Sequence, residues 1–171
     1  LDHVLNAKAP YRYEVSALQI AAKGVSFSGK VPVSMQCQLN GSKLALDGHV
    51  NLQPLGGDFE VQLQDLDVVA FKPYIQDALP GKLGGLKLNF KSSVSGTLDE
   101  LLLKGTLSLV DLDLILDAFP DAPLENARLN VDYDFLLALN QGQLQLRLLE
   151  LDYNGIKVNA KGDLNDLMGD L

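Results

Sequence analysis

At 171 residues the chain is long enough for one domain with a real core, and its lone cysteine, Cys37, excludes a small fold stapled by internal disulfides. A net charge of -8 and a pI near 4.6 set it against phosphate backbones and anionic headgroups, so no nucleic acid partner is expected. Hydrophobic residues make up 47%, too many for disorder, yet the longest apolar runs, Val68 to Phe71 and Phe135 to Leu139, fall far short of the roughly 18 residues of a membrane helix.

Residues 1–10 read as a loose segment, 11–164 as a single β domain and 165–171 as a loose tail. With no initiator Met and no signal peptide, the whole is expected to be a piece of a larger protein. Val31, Val33, Met35, Cys37 and Leu39 alternate with polar residues, the period of a strand with one wet face. Asn40-Gly41 accepts the positive φ angles of a tight turn, and alternation resumes at Leu44, Leu46, Gly48, Val50 and Leu52, which makes a hairpin. The pattern returns at Phe59, Val61, Leu63; at Leu86, Leu88, Phe90, Val94; at Leu129 through Leu139; and at Ile156, Val158, Ala160. Gly56-Gly57, Gln141-Gly142 and Asn154-Gly155 punctuate the strands. Phe71 to Leu79 instead carries apolar residues three and four apart, with Pro73 early and Pro80-Gly81 as a stop. It predicts a short helix near 70–79 capping one end of the sheet. Asp117 to Pro123, with two prolines, predicts a loop.

Several strands change phase midway. In Leu103 to Leu116 the apolar set is Leu107 and Leu109, then Leu112 and Leu114. A bulged residue near Leu109 to Asp111 keeps one face dry and bends the strand. The same slip separates Leu144, Leu146, Leu148 from Leu149, Leu151, Tyr153, and Val61, Leu63 from Leu66, Val68. Superposing Gly105 on Gly142 brings Leu107 onto Leu144 and Leu112 onto Leu149, a weak internal repeat suggesting a shared curvature. The fold class is therefore all-β, an antiparallel meander of long, bulged, curved strands.

Leucine is about a fifth of the chain, although strands favour β-branched and aromatic residues. With no Trp and 6% aromatics, the apolar face lacks the ring platforms that stack on sugars or bases. Two readings stay open: the leucines meet across two packed sheets as a closed core, or they line an open, curled sheet that holds acyl chains.

A family likeness bears on this choice. Asp65-Leu66-Asp67-Val68-Val69-Ala70-Phe71-Lys72-Pro73-Tyr74, Gly84-Gly85-Leu86-Lys87-Leu88, Gly96-Thr97-Leu98, Lys104-Gly105-Thr106-Leu107-Ser108-Leu109 and the closing Leu151 to Leu164 resemble the AsmA-like family of bacterial envelope proteins, which includes the TamB type. The resemblance covers roughly residues 40 to 165 and rests on strand-and-glycine patterns. It implies a hydrophobic groove, taco-like or half-pipe, in a periplasmic protein anchored to the inner membrane by a helix outside this segment. It also implies a role in phospholipid transport or outer-membrane biogenesis, with phospholipid acyl chains and envelope assembly proteins as partners. The expected lining is Val61, Leu63, Leu107, Leu109, Leu112, Leu114, Val131, Phe135, Leu144, Leu146, Leu149 and Leu151. The alternative function is a structural or assembly β-sandwich with a closed core that docks a protein partner.

No catalytic constellation emerges, so a non-catalytic module without cofactor or metal is expected. His3 lies in the loose terminus, His49 has the polar parity of Asp47 and Asn51, and Cys37 has the apolar parity of Met35 and Leu39, where a thiol is an inert small hydrophobe. Phosphate cradles, zinc spacings and nucleophile elbows are missing. Asp65 and Asp67, Asp111 and Asp113, and Asp132 and Asp134 each share a strand face, but calcium wants six or more oxygens from a folded loop. They read as solvated outer carboxylates that discourage edge aggregation.

Overall fold

The structure, a computed structural model, describes residues 2–3, 11–12, 14–24, 29–75, 79–97 and 99–165. Nine strands form one open antiparallel sheet in strict chain order: β3 (Val15–Ala22), β4 (Lys30–Leu39), β5 (Ser42–Leu52), β6 (Leu55–Asp67), β7 (Gly81–Thr97), β8 (Glu100–Leu116), β9 (Leu124–Ala138), β10 (Gln143–Tyr153) and β11 (Ile156–Leu164). A separate ladder pairs β1 (Asp2–His3) with β2 (Tyr11–Arg12). The fold is thus the all-β meander expected. Its strands make one layer, not the two packed sheets of the sandwich alternative.

Local chemistry sets the turns. Asn40 and Gly41 have φ of 48° and 84°, and Asn154 and Gly155 have 49° and 89°, the paired positive values of a two-residue hairpin turn whose twist matches its strands. Each Asn also reaches sideways: Asn40 Oδ1 accepts the Glu14 N–H at 2.8 Å and Asn154 Oδ1 accepts the Arg128 N–H at 3.2 Å, so each turn binds the strand beyond its own hairpin. Gly56-Gly57 is not a turn. The β5–β6 reversal falls at Gln53–Pro54, and both glycines lie inside β6. Gly57 is buried because the Phe59 ring lies over it, and a methyl there would fall 2.7 Å from Phe59 Cε2.

The expected bulges are present at Leu63/Leu66, Leu109/Leu112 and Leu146/Leu148. Two are made by aspartates in the left-handed region, Asp65 at φ 53° and Asp111 at φ 53°, which short polar side chains tolerate. Neighbouring strands satisfy the loosened backbone: Asn89 Oδ1 accepts the Asp65 N–H at 2.9 Å, and the Ser42 hydroxyl donates to the Asp65 carbonyl at 2.9 Å. Leu148, expected among the apolar set, pairs instead with Asp134, because the bulge turns it to the polar side. The repeat holds for the bulged leucines but not for its glycines: Gly142 ends a 3₁₀ turn (Leu139–Gln141) at φ 60°, whereas Gly105 lies mid-strand.

Strand β6 ends before Val68, the residue expected to continue its apolar face. The Asp67 carboxylate accepts the Val69 N–H at 2.9 Å and starts a 3₁₀ turn, Val68–Phe71, so the helical segment begins earlier than the expected Phe71. It continues as α1 (Lys72–Ile75), and the Leu79 N–H bonds the Ile75 carbonyl at 3.0 Å. As expected, this piece caps one end of the sheet. Val68, Val69, Ile75 and Leu79 pack on Leu83, Leu112 and Ala127, which are 3%, 9% and 2% exposed. The loop between Leu116 and Leu124 falls where expected. Ala78 of the expected helix, Leu98 of the likeness and residues 166–171 of the expected tail lie outside the described residues.

Candidate functional site

In an antiparallel ladder, directly opposed residues share a face, so the pairing registers trace rows across the sheet. One row runs Cys37, Leu44, Leu63, Phe90, Leu107, Val131, Leu151, Val158, crossing eight strands. The next runs Ile20, Met35, Leu46, Val61, Ser92, Gly105, Tyr133, Leu149, Ala160. A third carries Val33, Gly48, Phe59, Val94, Leu103, Phe135 and Leu146, and a fourth Val31, Val50, Leu101, Leu137 and Leu144. Beyond the bulges the same face continues through Leu109 opposite Leu129, Leu112 opposite Ala127 and Leu114 opposite Leu124. All twelve residues expected to line the groove therefore stand on one face.

The bulges are what make this possible. Without the extra residue at Asp111, Leu112 and Leu114 would point away from Leu107 and Leu109. The apolar face is not ringless as expected, since Phe59, Phe90, Tyr133 and Phe135 stand on it, and rings flatten the surface where side chains are missing. Phe59 covers Gly48 and Gly57, and Tyr133 covers Gly105, where an added methyl would fall 2.6 Å from its hydroxyl. The Tyr133 and Phe135 rings stack side by side with centroids 5.4 Å apart.

The face is only half sheltered. Apart from Leu112, the twelve are half-buried, shielded by neighbours in their rows and, among the described residues, by no second sheet. Towards the sheet's edges the apolar residues are open, Ile20 at 68% and Ile156 at 66%. Nine strands about 4.8 Å apart and four rows about 6.7 Å apart give a footprint of roughly 750 Å².

The opposite face is mainly polar, although Leu102 opposes Leu136 on it and Leu148 lies there too. His49 is exposed there, across from Asp58 and Pro32, and Cys37 is half-buried on the apolar side. The aspartate pairs have structural uses that sequence reasoning missed. Asp111 Oδ2 accepts from Lys87 Nζ at 2.8 Å, Asp113 Oδ1 accepts the Asn126 N–H at 2.8 Å, and Asp132 Oδ1 accepts the Thr106 hydroxyl at 2.6 Å. Asp111 holds the Lys87 ammonium pKa above its usual value, and Glu150, bonded at 2.8 Å, does the same for Lys157. Asp134 Oδ1 is buried without a hydrogen-bond partner. Among the described residues no group of three His, Cys, Asp or Glu could hold a metal ion, and no helix is long and apolar enough to cross a membrane.

Strand β3 was missed because the extra residue at Ala17 (φ 51°) breaks its alternation. Its apolar residues Val15, Leu18 and Ile20 extend the face by one strand, and a phase slip like those read elsewhere would have found it. No protein-family model matches the chain, and no curated protein or solved structure matches it significantly, so the reading of this face rests on its own geometry and chemistry.

Proposed function

We propose that the chain is a non-catalytic, lipid-handling module of a periplasmic AsmA-like protein, its leucine-lined face curling into a groove that holds acyl chains. The proposal places it in phospholipid transport or outer-membrane biogenesis, in a protein anchored to the inner membrane. One observation supports the reading: among the described residues, a nine-strand apolar face kept continuous by bulges is covered at one end alone, by a short helical cap. A mainly aliphatic face suits acyl chains, whose burial contributes about 0.8 kcal/mol per CH₂ whatever the headgroup. Native mass spectrometry of the purified protein incubated with phospholipid tests it. Retained lipid is the expected result, and a protein that never retains an acyl chain refutes it. The native state should also bind the apolar dye ANS.

A second reading, docking of a protein partner at the sheet edge, is favoured by β3. Its eight residues carry no charge and no proline, whereas β11 at the other edge carries Lys157, Lys161 and Asp163. Uncharged edges are templates for strand addition. Loss of association in Gln19→Lys, an edge position off the apolar face, with lipid retention intact, would favour it.

A further inference from the structure

Strand β3 ends the sheet, hydrogen-bonded to β4 alone among the described strands. Read against β4, it has a symmetry that the sequence hides. Gln19 faces Gln36, Ser16 faces Gln38 and Ala21 faces Ser34, all on the polar side. Beyond them, the Glu14 carbonyl accepts the Asn40 N–H at 2.8 Å and the Glu14 N–H donates to Asn40 Oδ1 at 2.8 Å, while the Lys23 N–H donates to the Pro32 carbonyl at 3.3 Å. Glu14 and Lys23 therefore stand level with Asn40 and Pro32, equally far from Gln36, each about 13 Å from Gln19 along the strand. In sequence the two arms are unequal, five residues on the Glu14 side and four on the Lys23 side, and the extra residue at Ala17 (φ 51°) takes up the difference. Both charged residues are exposed and form no ion pair among the described residues.

We propose that β3 pairs with β3 of a second copy of this chain, antiparallel, about a two-fold axis through Gln19. The inference rests on the edge-docking reading and names its partner. Antiparallel order sets the Glu14 end of each copy against the Lys23 end of the other, so an ion pair closes the seam at both ends. Between them, on the polar side, Ser16 meets Ala21 and Gln19 meets its own copy. On the apolar side Leu18 meets Ile20, which are 57% and 68% exposed in the single chain, and the two apolar faces run into one another. Every contact occurs twice, the self-complementarity that a closed two-fold interface requires. Charge favours this edge over any other approach. Two chains of net charge -8 repel, and an uncharged strand flanked by one residue of each sign is where they can meet. Pairing β3 with β11 of another copy would set Lys157, Lys161 and Asp163 against uncharged residues and would grow without closing.

Sedimentation equilibrium of the full chain over about a hundredfold range of concentration tests this. The mass should rise from 18.5 kDa towards twice that value at the upper end, since a short edge interface gives weak association. Gln19→Lys sets two ammonium groups at the axis and should hold the chain at the monomer mass. Glu14→Lys and Lys23→Glu should each raise the dissociation constant about tenfold, because two exposed pairs become like-charged, and the double variant Glu14→Lys, Lys23→Glu should restore the parent value. All three positions are exposed, and circular dichroism checks that each variant keeps its strands. A parent chain that stays monomeric throughout, a dimer untouched by Gln19→Lys, or a double variant no better than the single ones overturns the inference. The edge-docking reading survives a monomeric parent if Gln19→Lys still abolishes association with a different protein, and falls with the inference if it does not.

Discussion

Introducing one carboxylate at two places on the same face separates an open surface from a closed core. Leu112 is 9% exposed beneath the helical cap, whereas Leu146 is half-buried with no layer above it among the described residues. At Leu112→Asp the cap traps an unpaired charge and the leucine's burial is lost, together about 4 kcal/mol out of a total stability of about 5 to 15. At Leu146→Asp the carboxylate stays hydrated and only about half a leucine's burial is lost, about 1 kcal/mol. Urea unfolding followed by circular dichroism, with a slope of about 2 kcal/mol per molar, should move the midpoint by about 2 M for Leu112→Asp and about 0.5 M for Leu146→Asp. Leu146→Asp should also shed bound lipid while its strands survive. Equal midpoint losses would mean the face is as closed at Leu146 as at Leu112, and the argument for an open apolar surface would fall.

Gly105→Ala should cost about 1 to 3 kcal/mol, read from the urea midpoint, because its methyl meets the Lys91 carbonyl and displaces the Tyr133 ring. Asn40→Ala should cost about 1 to 2 kcal/mol by the same measurement, since it loses the Glu14 N–H contact and strains a residue at φ 48°. The folded state favours protonated Lys87 and Lys157, so their contribution is complete below the usual lysine pKa of 10.5 and is lost as pH rises through the raised values. A Lys87→Met, Lys157→Met double variant should therefore lose less stability than the parent chain between about pH 10 and 12 in urea titrations.

What could be read from the residues follows from one constraint. A face must stay dry, so each phase slip had to hide an extra residue. Leu63 to Leu66, Leu109 to Leu112 and Leu146 to Leu149 therefore located bulges that the registers contain. Asn40-Gly41 and Asn154-Gly155 were legible for a similar reason, since few residues accept two successive positive φ angles. Gly56-Gly57 misled because glycine serves two ends: it permits turns, and it also leaves room for a ring, as Phe59 uses it here. The choice between one sheet and two was not in the alternation. A strand of a sandwich and a strand of an open sheet both carry one apolar face, and only the order of pairing tells them apart.

Each strand from β3 to β11 bonds only to the strands before and after it in the chain. A sheet wired in this way behaves like a zipper. Its stability approximates a sum over neighbouring pairs, so it loses order from the outside inward and need not collapse all at once. Strand β11, exposed along its whole length, is the tooth that opens first, and amide exchange should run fastest there and slowest along β7 and β8. The same wiring keeps contacting residues close in sequence, which shortens the loops that folding must close. Hairpins could therefore be added or removed at either margin while the interior pairs stay as they are, and the width of the apolar face becomes a quantity that evolution or a protein engineer can dial strand by strand.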